Sequence, residues 1–177
     1  MTIREVLINI RERLQNAGIE DFEYESWAFL DWKLHINRAE FYMNPNGEVK
    51  EELLAELESV LKQREQRVPL QYLMGECEFM GYDFYVDERV LIPRQDTECL
   101  VELAVEDIRN RKTQNRCESN NTADRKNEQK VKVLDLCTGS GCIGISVAKL
   151  CPDTEVTLAD ISEGALSVAK KNAQNLD

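Results

Sequence analysis

A glycine-rich stretch, Val133 to Gly144 (VLDLCTGSGCIG), constrains the fold of this chain more than any other feature. It has the pattern of a strand end, a glycine loop and a helix start. Gly139, Gly141 and Gly144 fit the spacing G-x-G-x-x-G, in which the backbone turns tightly and can approach a nucleotide-like ligand at the N-terminus of a helix. The stretch therefore predicts a nucleotide-binding α/β unit.

The chain after residue 130 alternates strand and helix patterns. Apolar periodicity predicts a buried strand, a helix, a second strand and a second helix, in the order Val131–Leu136, Ile143–Leu150, Glu155–Asp160 and Glu163–Asn175. Two strands joined through a helix pair in parallel by a right-handed crossover. The expected fold class is thus α/β, with a Rossmann-like β-α-β unit.

Two acidic residues bear on the ligand. Asp160 ends the second predicted strand, where a carboxylate can accept hydrogen bonds from ribose hydroxyls. Asp135 precedes the glycines by four positions, and an anion there suits a ligand with an ammonium and a sulfonium better than a dinucleotide pyrophosphate. This charge argument favours S-adenosylmethionine over NAD. The alternative, a carboxylate hydrogen-bonded to loop N–H groups, stays open and is compatible with either ligand.

The first 70 residues have helical periodicity. Thr2 and Glu5 have the spacing of a capping box, and Gly18 is a candidate end of the helix that follows. Further helices are predicted over Tyr24–Ile36 and Glu48–Gln66. Trp27, Leu30 and Leu34 share one face of the second helix, and we interpret them as helix-packing core rather than as an aromatic ligand site.

The middle of the chain changes period. Strands are predicted at Asp83–Val86 and Val90–Ile92, joined by a turn at Asp87-Glu88. A helix capped by Asp96 or Thr97 is expected to run to about Asn110. Its predicted inner face consists of Leu100, Leu103, Ala104 and Ile108. Residues 112–130 contain almost no apolar side chain and predict a mobile, solvated loop.

Composition excludes several classes of protein. The net charge of -11 disfavours direct nucleic-acid binding. No apolar run is long enough for a membrane span, and the N-terminus lacks the pattern of a signal peptide, so a cytoplasmic protein is expected. The six cysteines form no C-x-x-C pair, and the one histidine has no cysteine nearby, so no metal site is predicted.

Together with the glycine loop, a second stretch carries a resemblance to a known family. VLDLCTGSGCIGISVA followed by VTLADIS is similar to the first two cofactor motifs of class I methyltransferases. Upstream, PLQYLMGECEFMGYDFYVDERVLIPRQDTECLVE resembles the linker of the protein-(glutamine-N5) methyltransferases of peptide chain release factors, the HemK/PrmC family. The resemblance covers the whole chain and is most specific over Pro69–Glu98. It implies a helical domain at 1–72, which contacts the release factor, a hairpin linker at 73–95 and a partial methyltransferase domain at 96–177.

The resemblance also implies a cofactor, S-adenosylmethionine, and the residues that hold it. The matching loop positions are Cys137, Thr138, Gly139, Ser140 and Gly141, and the matching ribose acid is Asp160. The family usually has glycine where this chain has Cys137, and we expect that cysteine to adopt an ordinary φ. In the family's Ile-Pro-Arg-Pro-Glu-Thr-Glu motif, Arg94, Thr97 and Glu98 match, whereas Gln95 replaces a proline and is expected to loosen the loop.

The resemblance implies methyl transfer to a glutamine side-chain nitrogen, for which the family uses an Asn-Pro-Pro-Tyr motif. No two of the four prolines in this sequence are adjacent, so the motif is absent and no catalytic residue is assigned. We interpret the chain as an N-terminal fragment of a longer monomeric enzyme, with strand edges that favour self-association. A nicotinamide-dependent oxidoreductase and a non-catalytic interaction module remain the alternatives.

Overall fold

The computed structural model describes residues 1–118 and 130–177, which divide into two compact units, Met1–Met74 and Gly75–Asp177. Five helices form the first unit: α1 (Ile3–Asn16), α2 (Phe22–Leu34), α3 (Arg38–Met43), α4 (Glu51–Glu65) and α5 (Leu70–Met74). The second unit contains, in order, β1 (Glu76–Phe79), β2 (Tyr82–Tyr85), α6 (Glu98–Glu118), β3 (Val131–Leu136), α7 (Cys142–Leu150), β4 (Thr154–Ala159) and α8 (Glu163–Asn175). No helix in these ranges is long and apolar enough to cross a membrane.

Short-range capping signals set the starts of two helices in the first unit. The Thr2 N–H donates to Glu5 Oε2 at 2.8 Å, and the Glu5 N–H donates to Thr2 Oγ1 at 3.3 Å, which confirms the predicted capping box. Asn37 and Glu40 repeat this arrangement at the start of α3. Each box satisfies N–H groups that the helix itself leaves unpaired.

The helical unit has one apolar core, to which α1, α2, α4 and α5 contribute. Leu30 and Leu34 are buried and Trp27 packs against the core, so the packing interpretation of this stripe is confirmed. One ion pair lies at the edge of this core: Arg64 Nε donates to Glu25 Oε2 at 2.7 Å, with both side chains mostly buried. Such a pair stabilises only because each charge has its partner.

The β-hairpin lies earlier in the chain than predicted. β1 and β2 pair antiparallel from Glu76 opposite Tyr85 to Phe79 opposite Tyr82. The strand predicted at 83–86 is confirmed as β2 to within one residue, whereas the strand predicted at 90–92 and the turn at Asp87-Glu88 are wrong, because the partner strand precedes β2. Their turn consists of Met80 (φ 54°) and Gly81 (φ 75°), both left-handed, as two-residue hairpin turns require. Apolar alternation continues past β2, and this misled the sequence interpretation.

Helix α6 differs from its prediction in length and in face. It extends to Glu118, so the predicted loop at 112–130 is wrong for 112–118, and its part at 119–129 lies outside the described residues. Asp96 and Thr97 lie within a 3-10 turn, Gln95–Thr97, which leads directly into the helix at Glu98. Val101, Val105 and Ile108 form the buried face, whereas Leu100 and Leu103 are exposed. Helical spacing fits either row of apolar residues, and in the folded unit the row of β-branched residues packs against the core.

The predicted parallel strand pair is confirmed. β3 and β4 pair in register from Val131 opposite Thr154 to Leu136 opposite Ala159. Val131 and Val133 belong to the core of this unit with α6 and α7. The other face of β3 carries Leu134 and Leu136, which are 63% and 70% exposed, so the description of this strand as buried is wrong for that face.

Candidate functional site

The glycine loop joins β3 to α7 through three residues with positive φ. These are Cys137 (61°), Gly139 (56°) and Gly141 (82°). The expectation of an ordinary φ at Cys137 is therefore wrong. The turn that follows β3 places Cys137 in the left-handed region, and the surrounding fold keeps it there although the Cβ of a non-glycine residue is crowded in that conformation.

The strain at Cys137 leads to a prediction. Cys137→Gly should raise the free energy of unfolding of the second unit by about 1 kcal/mol, because glycine adopts this φ without the Cβ penalty. Hydrogen exchange of the β3 and β4 amides measures the change. Both tryptophans, Trp27 and Trp32, lie in the helical unit, so tryptophan fluorescence does not follow the unit that carries the loop.

The matched control is Cys137→Ala, which removes the thiol but keeps the Cβ. It should leave the stability close to that of the parent chain. An equal gain in the alanine and glycine variants would contradict the backbone explanation and would assign the effect to the exposed thiol.

Gly141 and Gly144 are glycines because neighbouring elements approach them closely. A Cβ on Gly144 would lie 2.3 Å from Leu158 Cδ2 and 3.0 Å from Asp135 Oδ2. A Cβ on Gly141 would lie 3.2 Å from that of Ala169 on α8. Gly139 differs, since nothing lies within 4 Å of its missing Cβ. The loop is thus packed on one side and open at Gly139.

Asp135 stabilises the loop from within. Its Oδ2 accepts hydrogen bonds from Thr138 Oγ1 at 2.6 Å and from the Gly144 N–H at 2.9 Å, and the side chain is buried. The structural role that the sequence left open is therefore present. The carboxylate places a negative charge directly beneath the glycine loop.

Asp160 connects the end of β4 to the same loop. Its Oδ2 accepts from the Gly139 N–H and its Oδ1 accepts from the Ser162 N–H, both at 2.9 Å. The backbone hydrogen bonds from Ser162 and Gly139 lower the pKa of Asp160 below its ordinary value, so the carboxyl is ionised at neutral pH. Each oxygen retains acceptor capacity for a ligand hydroxyl.

A cavity of about 330 Å³ opens beside the loop. The segment after the hairpin forms one wall and the loop with the start of α7 forms the other; the lining residues are Leu91, Ile92, Pro93, Arg94, Thr97, Thr138, Ser140, Cys142 and Ile143. The hydroxyl of Ser140 is buried in this region without a hydrogen-bond partner among the described residues. Sequence reasoning did not place Leu91 or Cys142 here, because only the fold brings the two segments together.

Five residues in and beside the cavity differ in what they contact. Arg94 and Thr97, which match the family's linker motif, both lie in the cavity wall. The third match, Glu98, instead accepts from the Met80 N–H at 2.7 Å and so supports the hairpin turn. Gln95 begins the short 3-10 turn. Burial raises the pKa of the Cys142 thiol, which disfavours its thiolate form as a nucleophile.

The arrangement defines a class: a Rossmann-like unit with a glycine loop, a strand-end acid on each of two parallel strands and a cavity alongside.

Residues 5–75 match the family model of the PrmC N-terminal domain, and residues 121–177 match that of the methyltransferase small domain. The chain is 37% identical to a release factor glutamine methyltransferase of Clostridium acetobutylicum over 177 residues, all of this chain and 56% of the relative. It is 35% identical over 173 residues to one of Geobacter sulfurreducens, 98% of this chain and 54% of the relative.

A bifunctional methyltransferase of Rickettsia typhi is 33% identical over 172 residues, 97% of this chain and 33% of that protein. The chain thus combines a region that matches the PrmC N-terminal domain with a region that matches the methyltransferase small domain, and it is similar to release factor glutamine methyltransferases over its whole length. It spans about half the length of the first two of these relatives.

Proposed function

We propose that the second unit binds S-adenosylmethionine through its glycine loop and Asp160. The observation that carries this proposal is the set of hydrogen bonds that the backbone N–H groups of the loop already donate. The N–H groups of Gly139 and Gly144 donate to the carboxylates of Asp160 and Asp135, and the Gly141 N–H donates to the Thr138 carbonyl at 2.9 Å. These three loop donors are thus already paired, and two carboxylates place negative charge beside the loop.

This electrostatic environment separates the candidate ligands. A dinucleotide needs free backbone N–H donors and positive potential for its pyrophosphate. The loop instead offers carboxylates, which favour a ligand with a positively charged sulfonium and ammonium. The nicotinamide-dependent alternative therefore has less support than methyl transfer.

The residues present fit the shape and polarity of the cofactor. Asp160 can accept from ribose hydroxyls, and the neighbouring Ile161, which is fully exposed, offers an apolar surface for the adenine ring. Sequence reasoning did not single out Ile161, although its position directly after the strand-end Asp160 is visible in the sequence. The cavity beside Ser140 and Thr138 provides room for the amino-acid end. The loop backbone at Gly139 has open space in front of it.

For the whole protein we propose the activity that its relatives' names describe, methylation of a glutamine in peptide chain release factors. The bound cofactor supplies an electrophilic methyl group. When bound, it would supply this methyl group to the glutamine amide nitrogen. This chain contributes the binding and orientation of the cofactor, which reduce the barrier by positioning. The helical unit is the proposed contact for the release factor.

Cofactor choice is tested by calorimetric titration of the 177-residue chain with S-adenosylhomocysteine and with NAD. Binding of S-adenosylhomocysteine at lower concentration than NAD supports the proposal. Tighter NAD binding would favour an oxidoreductase, and release-factor binding with neither cofactor bound would favour an interaction module.

Methyl transfer is tested separately with the same chain and a release factor. The sequence has no Asn-Pro-Pro-Tyr, so we expect cofactor binding without transfer, whereas the whole protein should methylate the factor. Mass spectrometry of the glutamine-containing peptide measures the product. Transfer by the 177-residue chain alone would overturn the assignment of catalysis to that motif.

A further inference from the structure

One buried amide connects three parts of the second unit. Asn172 lies on α8 and has no exposed surface. Its Nδ2 donates to the Ser140 carbonyl at 2.8 Å and to the Tyr85 carbonyl at 2.9 Å, while its Oδ1 accepts from the Tyr85 N–H at 2.7 Å. Both amide hydrogens and the amide oxygen are therefore engaged.

The bond to Ser140 acts on a peptide group of the glycine loop that is hydrogen-bonded at both ends. The carbonyl of Ser140 and the N–H of Gly141 belong to one peptide plane. Asn172 holds the carbonyl, and the Thr138 carbonyl accepts from the N–H at 2.9 Å. Because a peptide group is planar, fixing both ends fixes its orientation. The φ angle of 82° at Gly141, which adjoins this peptide group, depends on that orientation.

The bonds to Tyr85 act on the opposite wall of the cavity. Tyr85 is the last residue of β2, and the chain that leaves it contributes Leu91–Arg94 and Thr97 to the cavity lining. The two hydrogen bonds pair the Asn172 amide with the Tyr85 backbone as a neighbouring strand would. One side chain thus connects the loop wall to the base of the linker wall.

We propose that Asn172 is a positioning residue, which sets the glycine loop and the linker segment at the separation that the cofactor requires. This inference rests on the proposed cofactor function. In this proposal α8 influences the affinity for the cofactor by holding the loop, and Asn172 itself does not contact the cofactor.

The test uses two substitutions at this position in the 177-residue chain. Asn172→Asp keeps the shape and an acceptor for the Tyr85 N–H, but it cannot donate to the two carbonyls. Asn172→Ala removes all three hydrogen bonds without adding charge, and it replaces the aspartate variant in the test if that variant does not fold. Both should weaken S-adenosylhomocysteine binding about tenfold in calorimetry at low temperature.

Two control variants separate positioning from stability. Asn175→Asp makes the same chemical change at an exposed position of the same helix and should leave the affinity unchanged. Val105→Ala opens the buried core of this unit and should lower the melting temperature without weakening the binding of folded protein. If the Asn172 variants behave like Val105→Ala, with lower stability and unchanged affinity, the positioning role is wrong.

Amide exchange distinguishes failure of this inference from failure of the proposed function. At equal stability, the Gly141 amide should exchange faster in both Asn172 variants than in Val105→Ala, and the Tyr85 amide should exchange faster in Asn172→Ala, which removes its acceptor. If the parent chain binds no S-adenosylhomocysteine, the cofactor proposal fails, and this difference in exchange still decides whether Asn172 holds both walls. If these amides exchange equally fast in the Asn172 variants and in Val105→Ala, the inference is wrong.

Discussion

Gly144→Val should destabilise the second unit by about 3 kcal/mol and abolish measurable cofactor binding. Even a single Cβ at this position would lie 2.3 Å from Leu158 Cδ2 and about 3 Å from Asp135. Leu158 can move its terminal methyl, but Asp135 cannot retreat without losing its bonds to Thr138 and to the Gly144 N–H. Valine adds two methyl groups to this crowded contact between α7 and the strands.

Hydrogen exchange of the β3 and β4 amides measures the loss, and tryptophan fluorescence should show the helical unit unchanged. The control is Gly164→Val in the first turn of α8, where a Cβ would meet the flexible side chain of Arg89 at 3.3 Å. That variant should change stability by less than about 1 kcal/mol. Equal losses in the two variants would show that the close approach at Gly144 is unimportant.

Asp160→Asn should weaken S-adenosylhomocysteine binding about 30-fold. An asparagine has one acceptor oxygen where the aspartate uses two, so it cannot accept from both the Gly139 and Ser162 N–H groups. It also loses the charge that strengthens hydrogen bonds to ribose hydroxyls. Calorimetry measures the affinity, and Asp83→Asn, an exposed change of the same kind in β2, should have no effect.

The pH dependence gives a second measurement on Asp160. Its pKa is lowered from the ordinary 3.8, so the carboxyl remains ionised down to that pH and below. Binding to the parent chain should therefore not weaken through protonation of this group between pH 8 and pH 5, and should be lost only on stronger acidification. A decrease centred near pH 6 would show that another group controls the affinity.

Much of the fold follows from local signals in the sequence. The capping box of Thr2 and Glu5 acts within four residues, and the bounds of β3 and α8 match their predicted ranges. The parallel pairing of β3 with β4 follows from the alternation of strand and helix. The spacing of Gly139, Gly141 and Gly144 places them at one turn between β3 and α7.

Other features were misjudged because two patterns competed. The apolar alternation after Tyr82 continues beyond β2, so periodicity placed the partner strand after β2 instead of before it, and the Met80-Gly81 turn was overlooked. In α6 the predicted leucines and a row of valines both fit helical spacing. Val101, Val105 and the predicted Ile108 face the core, whereas Leu100 and Leu103 are exposed. Cys137 carries no sequence signal for a left-handed conformation.

By itself the sequence determined the class of the second unit and the positions of its glycines and of Asp160, because spacing along one chain segment specifies them. The tertiary structure alone decided how these residues are held. Asn172 meets Tyr85 across 87 residues and Ser140 across 32. Hydrogen bonds between such distant groups leave no periodic pattern in a single sequence, because they depend on how separate elements pack. The loop's chemistry is thus local, whereas its geometry depends on the packing of β2 and α8.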